Sequence, residues 1–223
     1  MSINKTDNDY MQLRTMLANM CHIVSSMLED VSKALMEQDA DLAAKVIERD
    51  KEVDALDLQI DDYCLKLLAL YGPKAAELRY VIASLRLIVD IERIGDHCKY
   101  IARQVRKYHY AAAIQYAEDF TLLVSLTKRM LHDAAEALFE QDVDKALAVM
   151  ILDNDIDNTK SKILKNIILT IPEDVSKVGI VTSFMNIVRR YERLADHAKK
   201  IAESVSYVEN GTIVRHQETN VEG

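Results

Sequence analysis

Glycine, proline and tryptophan are scarce or absent in this chain of 223 residues, which contains 5 Gly, 2 Pro and no Trp. Turns and β-strands depend on glycine, proline and runs of β-branched residues, so their scarcity argues against a sheet. Apolar residues make up 49% of the chain, enough to bury a sizeable core. The chain is therefore predicted to be all-α and to consist mostly of long helices.

The chain also lacks the signals of several protein classes. Its three cysteines, Cys21, Cys64 and Cys98, have no close spacing and lie in apolar helical patterns, which predicts buried free thiols. The net charge of −8 and the lack of a basic cluster argue against nucleic acid as a partner. No apolar run reaches the roughly 18 residues of a membrane-spanning helix, and no signal peptide is visible, so we expect a cytoplasmic protein.

Apolar periodicity and turn signals predict six helices. Their approximate ranges are residues 7–37, 41–71, 74–107, 110–140, 144–170 and 173–208. A Gln-Asp-x-Asp stretch precedes the second helix (Gln38 to Asp41) and recurs before the fifth (Gln141 to Asp144), where its aspartates can cap the helix that follows. A proline-containing turn ends the second helix at Gly72-Pro73, and Pro172 ends the fifth.

The order of helices and turns is the same in both halves of the chain. Short turns make consecutive helices antiparallel neighbours. The sequence therefore predicts two tandem antiparallel three-helix bundles related by internal duplication. The first covers residues 1–108 and the second covers 109–208, and a flexible polar tail of 209–223 follows.

A repeated hexapeptide marks the same place in the two halves. Glu92-Arg93-Ile94-Gly95-Asp96-His97 returns one hundred residues later as Glu192-Arg193-Leu194-Ala195-Asp196-His197. Two acids four residues apart lie side by side on one helix face, where their charges repel each other. A bound cation removes that cost, so each Glu-x-x-x-Asp pair is a candidate metal-binding pair.

A second pair of acids in each half can reach the first. Asp50 and Asp54 are four residues apart on the second helix, and alignment of the Gln-Asp-x-Asp turns matches them to Asp153 and Asp157. Antiparallel packing would bring the pairs together, giving up to four carboxylates in each half. Carboxylate oxygens are suitable ligands for Mg²⁺, Mn²⁺, iron, Zn²⁺ or Ca²⁺, so each group of acids is a candidate metal site. The first site would comprise Asp50, Asp54, Glu92 and Asp96. The second would comprise Asp153, Asp157, Glu192 and Asp196.

Neighbouring residues are assigned other roles. Asp57 and Asp61 continue the acidic stripe but are expected to be surface residues, because Lys160 and Leu164 take their places in the fifth helix. His97 and His197 lie about 140° around the helix from the glutamates, so we expect them to form hydrogen bonds and not to bind the metal. Asp90 is expected to form salt bridges within its helix, because Arg86 and Arg93 lie near it in helical spacing.

No nucleophile elbow, phosphate loop, dinucleotide motif or zinc-type Cys/His spacing occurs in the chain. The Glu-x-x-His motif of di-iron bundles is absent as well, since Gly95 and Ala195 occupy the third position after each glutamate. The chain is therefore predicted not to be an enzyme.

The segments around the two copies of the hexapeptide resemble the PhoU family of regulators of phosphate uptake and signalling. The stretch from Leu78 to His97 is similar to the first signature of the family, and the stretch from Asn186 to Ala198 is similar to the second. The Val214-Arg215-His216 tail is also similar. Ala195 replaces a usual Gly, and Tyr100 and Lys200 stand where the family often has Asn.

The resemblance implies a homodimer that carries metal clusters on its bundle surface. Iron or zinc would be the cofactor, with Mg, Mn, Ca or Ni as further possibilities. It implies action through partners, namely a phosphate ABC transporter and a membrane sensor histidine kinase that is kept quiet when phosphate is plentiful. The protein would then be peripheral to the membrane through these protein partners.

Three alternatives stay open at the level of sequence. The chain could be the accessory protein of a sodium- or proton-driven phosphate permease, which shares the bundle. It could be a metal-dependent enzyme that acts on phosphate compounds, although no nucleophile or base accompanies the acids. It could also be a metal-free helical scaffold whose acidic pairs are surface charge.

Overall fold

The computed structural model describes residues 5–110, 117–169 and 178–210. Within these ranges the chain forms six α-helices and no strand. The helices are α1 (Lys5–Glu37), α2 (Ala40–Tyr71), α3 (Ala76–Lys107), α4 (Ala117–Glu140), α5 (Val143–Leu169) and α6 (Val178–Asn210). The prediction of an all-α chain is confirmed.

Several predicted helix ends differ from the structure, the start of the fourth helix and the end of the sixth among them. The fourth helix does not begin at Tyr110, because residues 108–110 are non-helical and the described part of this helix begins at Ala117. The sixth helix extends to Asn210, two residues beyond its predicted end, because no helix-breaking residue precedes Gly211. Its predicted start at Glu173-Asp174 and the tail residues 211–223 lie outside the described residues.

The six helices pack as two bundles of three. Helices α1, α2 and α3 pack against one another, as do α4, α5 and α6, and this confirms the predicted tandem bundles. The bundles meet because α3 packs against α6 and α1 packs against α4. One continuous apolar core runs through both bundles, and all three cysteines lie in or beside it as free thiols.

The turns before α2 and α5 have the same geometry. Gln38 and Gln141 both adopt a left-handed backbone conformation, with φ of 57° and 59°. The backbone N–H of the following aspartate then bonds a carbonyl in the last turn of the preceding helix, at 2.9 Å for Asp39 and 3.0 Å for Asp142. Each aspartate side chain also accepts hydrogen bonds from the first turn of the next helix, as expected for an N-cap.

The segment that leaves α3 is held between the two bundles. The backbone N–H of Tyr110 donates to Oε1 of Gln38 at 2.7 Å, in the turn between α1 and α2. The phenol oxygen of Tyr110 lies 2.6 Å from Oγ of Ser183 on α6, and that hydroxyl donates to Gln104 on α3 at 3.0 Å. Tyr110 is only 2% exposed, so the chain is still part of the core at this residue beyond the end of α3.

No described helix combines the length and the apolarity that crossing a bilayer requires.

Candidate metal centres

The first acidic cluster lies where α2 packs against α3. Asp50 on α2 is almost fully buried, with 2% of its surface exposed, and its carboxylate forms an ion pair with the ammonium of Lys99 on α3. A Cβ added to Gly95 would lie 3.5 Å from Oδ1 of Asp50, so the two helices are in close contact here. Burial raises the pKa of Asp50 even though Lys99 acts in the opposite direction.

The other acids of this cluster lie within reach of one another's charges. Burial raises the pKa of Glu92, the charge of Asp96 raises it further, and the guanidinium of Arg93 opposes both effects. Asp54 on α2 adds a smaller upward contribution to the same pKa, which places it beside the α3 pair. Arg93 pairs with both α3 acids, at 3.5 Å from Glu92 and 3.2 Å from Asp96. The structure therefore brings the four predicted acids into one electrostatic group.

The second cluster repeats this arrangement between α5 and α6. Asp153 pairs with the ammonium of Lys199 at 2.6 Å, as Asp50 pairs with Lys99. Desolvation raises the pKa of Asp196, and the charges of Glu192 and Asp153 raise it further, followed by a smaller contribution from Asp157. The second set of predicted acids is therefore also gathered in one place.

One lysine distinguishes the second cluster from the first. The ammonium of Lys160 lies 2.7 Å from Oδ1 of Asp157 and 3.0 Å from Oε1 of Glu192. Burial alone would lower the pKa of Lys160, but hydrogen bonds and charge from the two acids outweigh it and raise the pKa. Lys160 is therefore a charged group that bridges α5 and α6 within the cluster.

The carboxylates of both clusters lie farther apart than the ligands of a bound ion do, so an ion at either cluster would have to draw its acids together. No three ligand atoms of the eight predicted acids lie within 4.8 Å of one another; among the described residues, only His132, Asp133 and Glu136 meet that condition. This trio lies on one helix, and its two acids already pair with Arg129 and Lys145. It is not duplicated in the first half, where Glu29, Asp30 and Lys33 occupy the equivalent positions.

Three lysines of the clusters were missed by the sequence analysis. Lys99 and Lys199 could have been found, because the repeat continues past the hexapeptide as Asp-His-x-Lys in both halves. Lys160 had been noted only as the residue that replaces Asp57, with no role assigned. Its contact with Glu192 joins two helices and depends on their packing, which a pattern along one helix does not contain.

The residues next to the acids face the contact between the bundles. His197 bonds Asp90 at 2.8 Å through Nδ1, and Nδ1 of His97 lies 2.9 Å from a guanidinium nitrogen of Arg190. The prediction that both histidines form hydrogen bonds is confirmed. Asp90 does form salt bridges, but its partners are His197 and Lys200 of the other half. Asp57 is partly buried and Asp61 is exposed, so both reach solvent as predicted.

The chemistry available at the clusters is that of paired charges. The carboxylates can bind a metal cation, and where no metal is bound they can form ion pairs with the lysines. The thiol of Cys98 follows Asp96 closely in sequence, but burial raises its pKa, so it stays protonated and is not a nucleophile.

Comparison with known proteins finds matches to one protein family along nearly the whole chain. A family model described as the PhoU domain matches residues 17–105 and again 120–205. The phosphate-specific transport system accessory protein PhoU homolog of Pseudomonas putida is 32% identical over 214 residues, which span 92% of this chain and 80% of that protein. The accessory protein PhoU of Escherichia coli K12 is 31% identical over 211 residues, which span 92% of this chain and 85% of that protein.

Solved structures agree with the sequence matches. PhoU from Pseudomonas aeruginosa superimposes with a TM-score of 0.84 at 27% identity, covering 93% of this chain and all of that chain. The phosphate transport system regulatory protein PhoU from Streptococcus pneumoniae gives a TM-score of 0.84 at 26% identity, covering 95% of this chain and all of the other. With the family model matching both halves and relatives above 30% identity, this chain belongs to the PhoU family.

Proposed function

We propose that this protein is a cytoplasmic, non-enzymatic regulator of phosphate uptake and phosphate-starvation signalling. The observation that carries the proposal is the pair of matching acidic clusters on a two-bundle fold that belongs to the PhoU family. Relatives at about the same length are named as accessory proteins of the phosphate-specific transport system, which supports a regulator of phosphate transport. The clusters contain carboxylates and lysines without a nucleophile beside them, which is consistent with binding.

The proposal includes a metal ion at the first cluster, with iron or zinc as the preferred elements. Asp50, Asp54, Glu92 and Asp96 supply only carboxylate oxygens, which bind divalent and trivalent ions. The raised pKa of Glu92 arises from burial and from the charges of the other acids, so the cluster has more negative charge than Arg93 and Lys99 neutralise. When bound, the metal would neutralise this charge and tie α2 to α3.

The proposal also includes the partners. An adaptor of this kind would contact a phosphate ABC transporter and a sensor histidine kinase, and would hold the kinase quiet when phosphate is plentiful. The protein would reach the membrane only through these partners, as a homodimer. Support comes from the names of the relatives and from the exposed charged faces of α2, α3, α5 and α6, since charged surfaces steer the association of proteins.

The regulatory role is tested by deleting the gene in the host and measuring a phosphate-starvation reporter at high phosphate. We expect the reporter to become active, and the wild-type gene to restore repression. A reporter that stays repressed in the deletion strain contradicts the proposal. Loss of phosphate uptake through an ion-driven permease, with an unaltered reporter, would favour the permease accessory role.

The metal is tested with the purified protein. After treatment with a chelator, the protein is dialysed against Zn²⁺ alone, and its metal content is measured by elemental analysis. We expect Asp54→Asn combined with Glu92→Gln to remove most of the bound Zn²⁺, while circular dichroism shows the same helix content. A folded variant with the same Zn²⁺ content as the wild type would mean that these acids do not bind the metal and are surface charge.

A further inference from the structure

The second cluster contains a positive charge at the position where the first cluster contains a negative one. Alignment of the Gln-Asp-x-Asp turns matches Lys160 on α5 to Asp57 on α2, so the two clusters differ by two unit charges at this place. Asp57 is partly buried and lies one turn from Asp54 on α2, so it adds negative charge beside the first cluster. Lys160 adds positive charge within the second cluster.

The other cations do not explain the difference, because they are shared. Lys99 pairs with Asp50 in the first half, and Lys199 pairs with Asp153 in the second. Both lysines belong to the duplicated motif and approach the cluster from its third helix. The arginine that pairs with the acids of the first cluster is part of the repeat as well, since Arg93 recurs as Arg193. Lys160 approaches from the middle helix of its bundle, where the first half has an aspartate.

The contacts of Lys160 are those that a bound cation would make. Its ammonium lies 2.7 Å from one carboxylate on α5 and 3.0 Å from another on α6, and the side chain is only 20% exposed. A metal ion that bound Asp157 and Glu192 would have to displace this ammonium and would leave a partly buried positive charge beside the ion. That arrangement is costly, because a buried charge needs a partner. The second cluster therefore has an obstacle to a metal ion that the first lacks, because the first has an aspartate at this place on its middle helix.

We propose that Lys160 is the resident cation of the second cluster, and that this chain binds metal at the first cluster alone. The inference rests on the proposed metal binding of the first cluster. The duplicated sites have therefore diverged. The second cluster keeps its acids in place with an internal ammonium, and the second half of the protein consequently needs no metal to hold α5 against α6.

The test compares matched pairs of variants in a His132→Ala background, so that the trio on α4 contributes no bound ion. Asp54→Asn with Glu92→Gln alters the first cluster, and Asp157→Asn with Glu192→Gln makes the same change in the second. Each metal-free protein is dialysed against Zn²⁺ alone and its metal content is measured. We expect the first pair of changes to remove most of the Zn²⁺ and the second pair to remove almost none. Equal losses from both pairs would overturn the inference.

A variant that is expected to gain Zn²⁺ binding gives a more specific test. Lys160→Asp gives the second cluster the charge of the first, so we expect the bound Zn²⁺ to rise about twofold. Lys165→Asp is the control, because Lys165 is an exposed lysine of the same helix and the change in charge is the same. A folded Lys160→Asp protein that binds no more Zn²⁺ than its parent, when the parent does bind Zn²⁺, contradicts the inference.

Thermal unfolding in a chelator separates failure of the inference from failure of the proposed function. Lys160→Met removes the ammonium and leaves Asp157 and Glu192 unpaired, so we expect the Tm to fall by about 3 °C relative to Lys165→Met. If wild type binds no Zn²⁺ but this fall occurs, the metal part of the proposed function is wrong while Lys160 keeps its role. If Lys160→Met leaves the Tm unchanged, Lys160 is not the resident cation.

Discussion

The two halves of this protein use equivalent positions for opposite charges where they meet. His97 of the first half lies beside Arg190 of the second, whereas His197 of the second half lies beside Asp90 of the first. Asp90 and Arg190 are themselves one hundred residues apart, at the same place in the repeat. Two copies of either residue would have put like charges at this contact. This difference shows that equivalent positions of the two halves have diverged where the halves contact each other.

The pH dependence of stability gives the largest expected effect, and it concerns His97. Burial lowers the pKa of His97 from 6.5 to about 4, and the positive charges of Arg190, His197 and Arg193 contribute in the same direction, against a smaller opposite effect of Asp96. The unfolded chain therefore binds this proton more readily than the folded protein does. Stability from the neutral ring is complete above about pH 6.5 and is lost as the pH falls towards 4, amounting to about 3 kcal/mol.

The measurement is urea unfolding at pH 7 and at pH 4.5. Because carboxylates also titrate in this range, the informative quantity is the difference between wild type and His97→Gln. We expect His97→Gln to lose less stability on acidification than wild type, whereas His197→Gln, the equivalent change in the other half, should retain the loss. Equal acid sensitivity of wild type and His97→Gln would show that His97 does not contribute.

The two shared ion pairs provide the second prediction. Lys99→Met leaves Asp50, which is 2% exposed, as a buried carboxylate without its cation, and we expect a loss of about 3 kcal/mol in unfolding free energy. Lys199→Met has a smaller expected cost of about 1 kcal/mol, because the side chain of Asp153 is 19% exposed and water can solvate it. Urea unfolding of both metal-free variants measures the comparison. Equal losses would mean that burial does not set the strength of these pairs.

A third prediction concerns a hydrogen bond that only one half provides. Tyr191 on α6 is fully buried and its hydroxyl lies 2.9 Å from Oγ of Ser32 on α1, whereas the equivalent position in α3 is Ile91. Tyr191→Phe removes this contact between the halves and should cost about 1 kcal/mol. A double-mutant cycle with Ser32→Ala, followed by chemical denaturation, isolates the pair. Strict additivity of the two changes would rule out the coupling.

The smallest effect is expected at Gly95, and its sign is favourable. A Cβ at this position would lie 3.4 Å from the nearest atom of Val53, which is ordinary contact, and the second half already has Ala195 at the same place. Because alanine favours the helix over glycine, Gly95→Ala should raise the unfolding free energy by about 0.5 to 1 kcal/mol. Thermal unfolding measures the change. A lower Tm would show that the first cluster needs its helices closer than the second does.

Sequence patterns were sufficient for the parts of the fold that depend on neighbours along the chain. The apolar spacing of α1, the repeated Gln-Asp-x-Asp turns and the Gly72 cap are local features, and each specifies its helix or helix end. The two groups of acids could also be predicted, since four-residue spacing places them on one face and antiparallel packing brings the faces together.

Contacts between helices could not be predicted in the same way. Asp90 was expected to pair within its own helix, but the packing of α3 against α6 brings His197 and Lys200 to it. Lys160 reaches Glu192 only because α5 lies beside α6. The start of α4 was misplaced because Tyr110 continues an apolar pattern, while its backbone and hydroxyl bond residues far away in sequence.

The burial of Tyr110 has a consequence for how a partner would recognise the two clusters. Since this residue is bonded to the turn after α1 and to α6, its backbone and side chain tie the two halves together. A partner protein that contacts both clusters would therefore meet two surfaces that are joined through a buried side chain as well as along the chain.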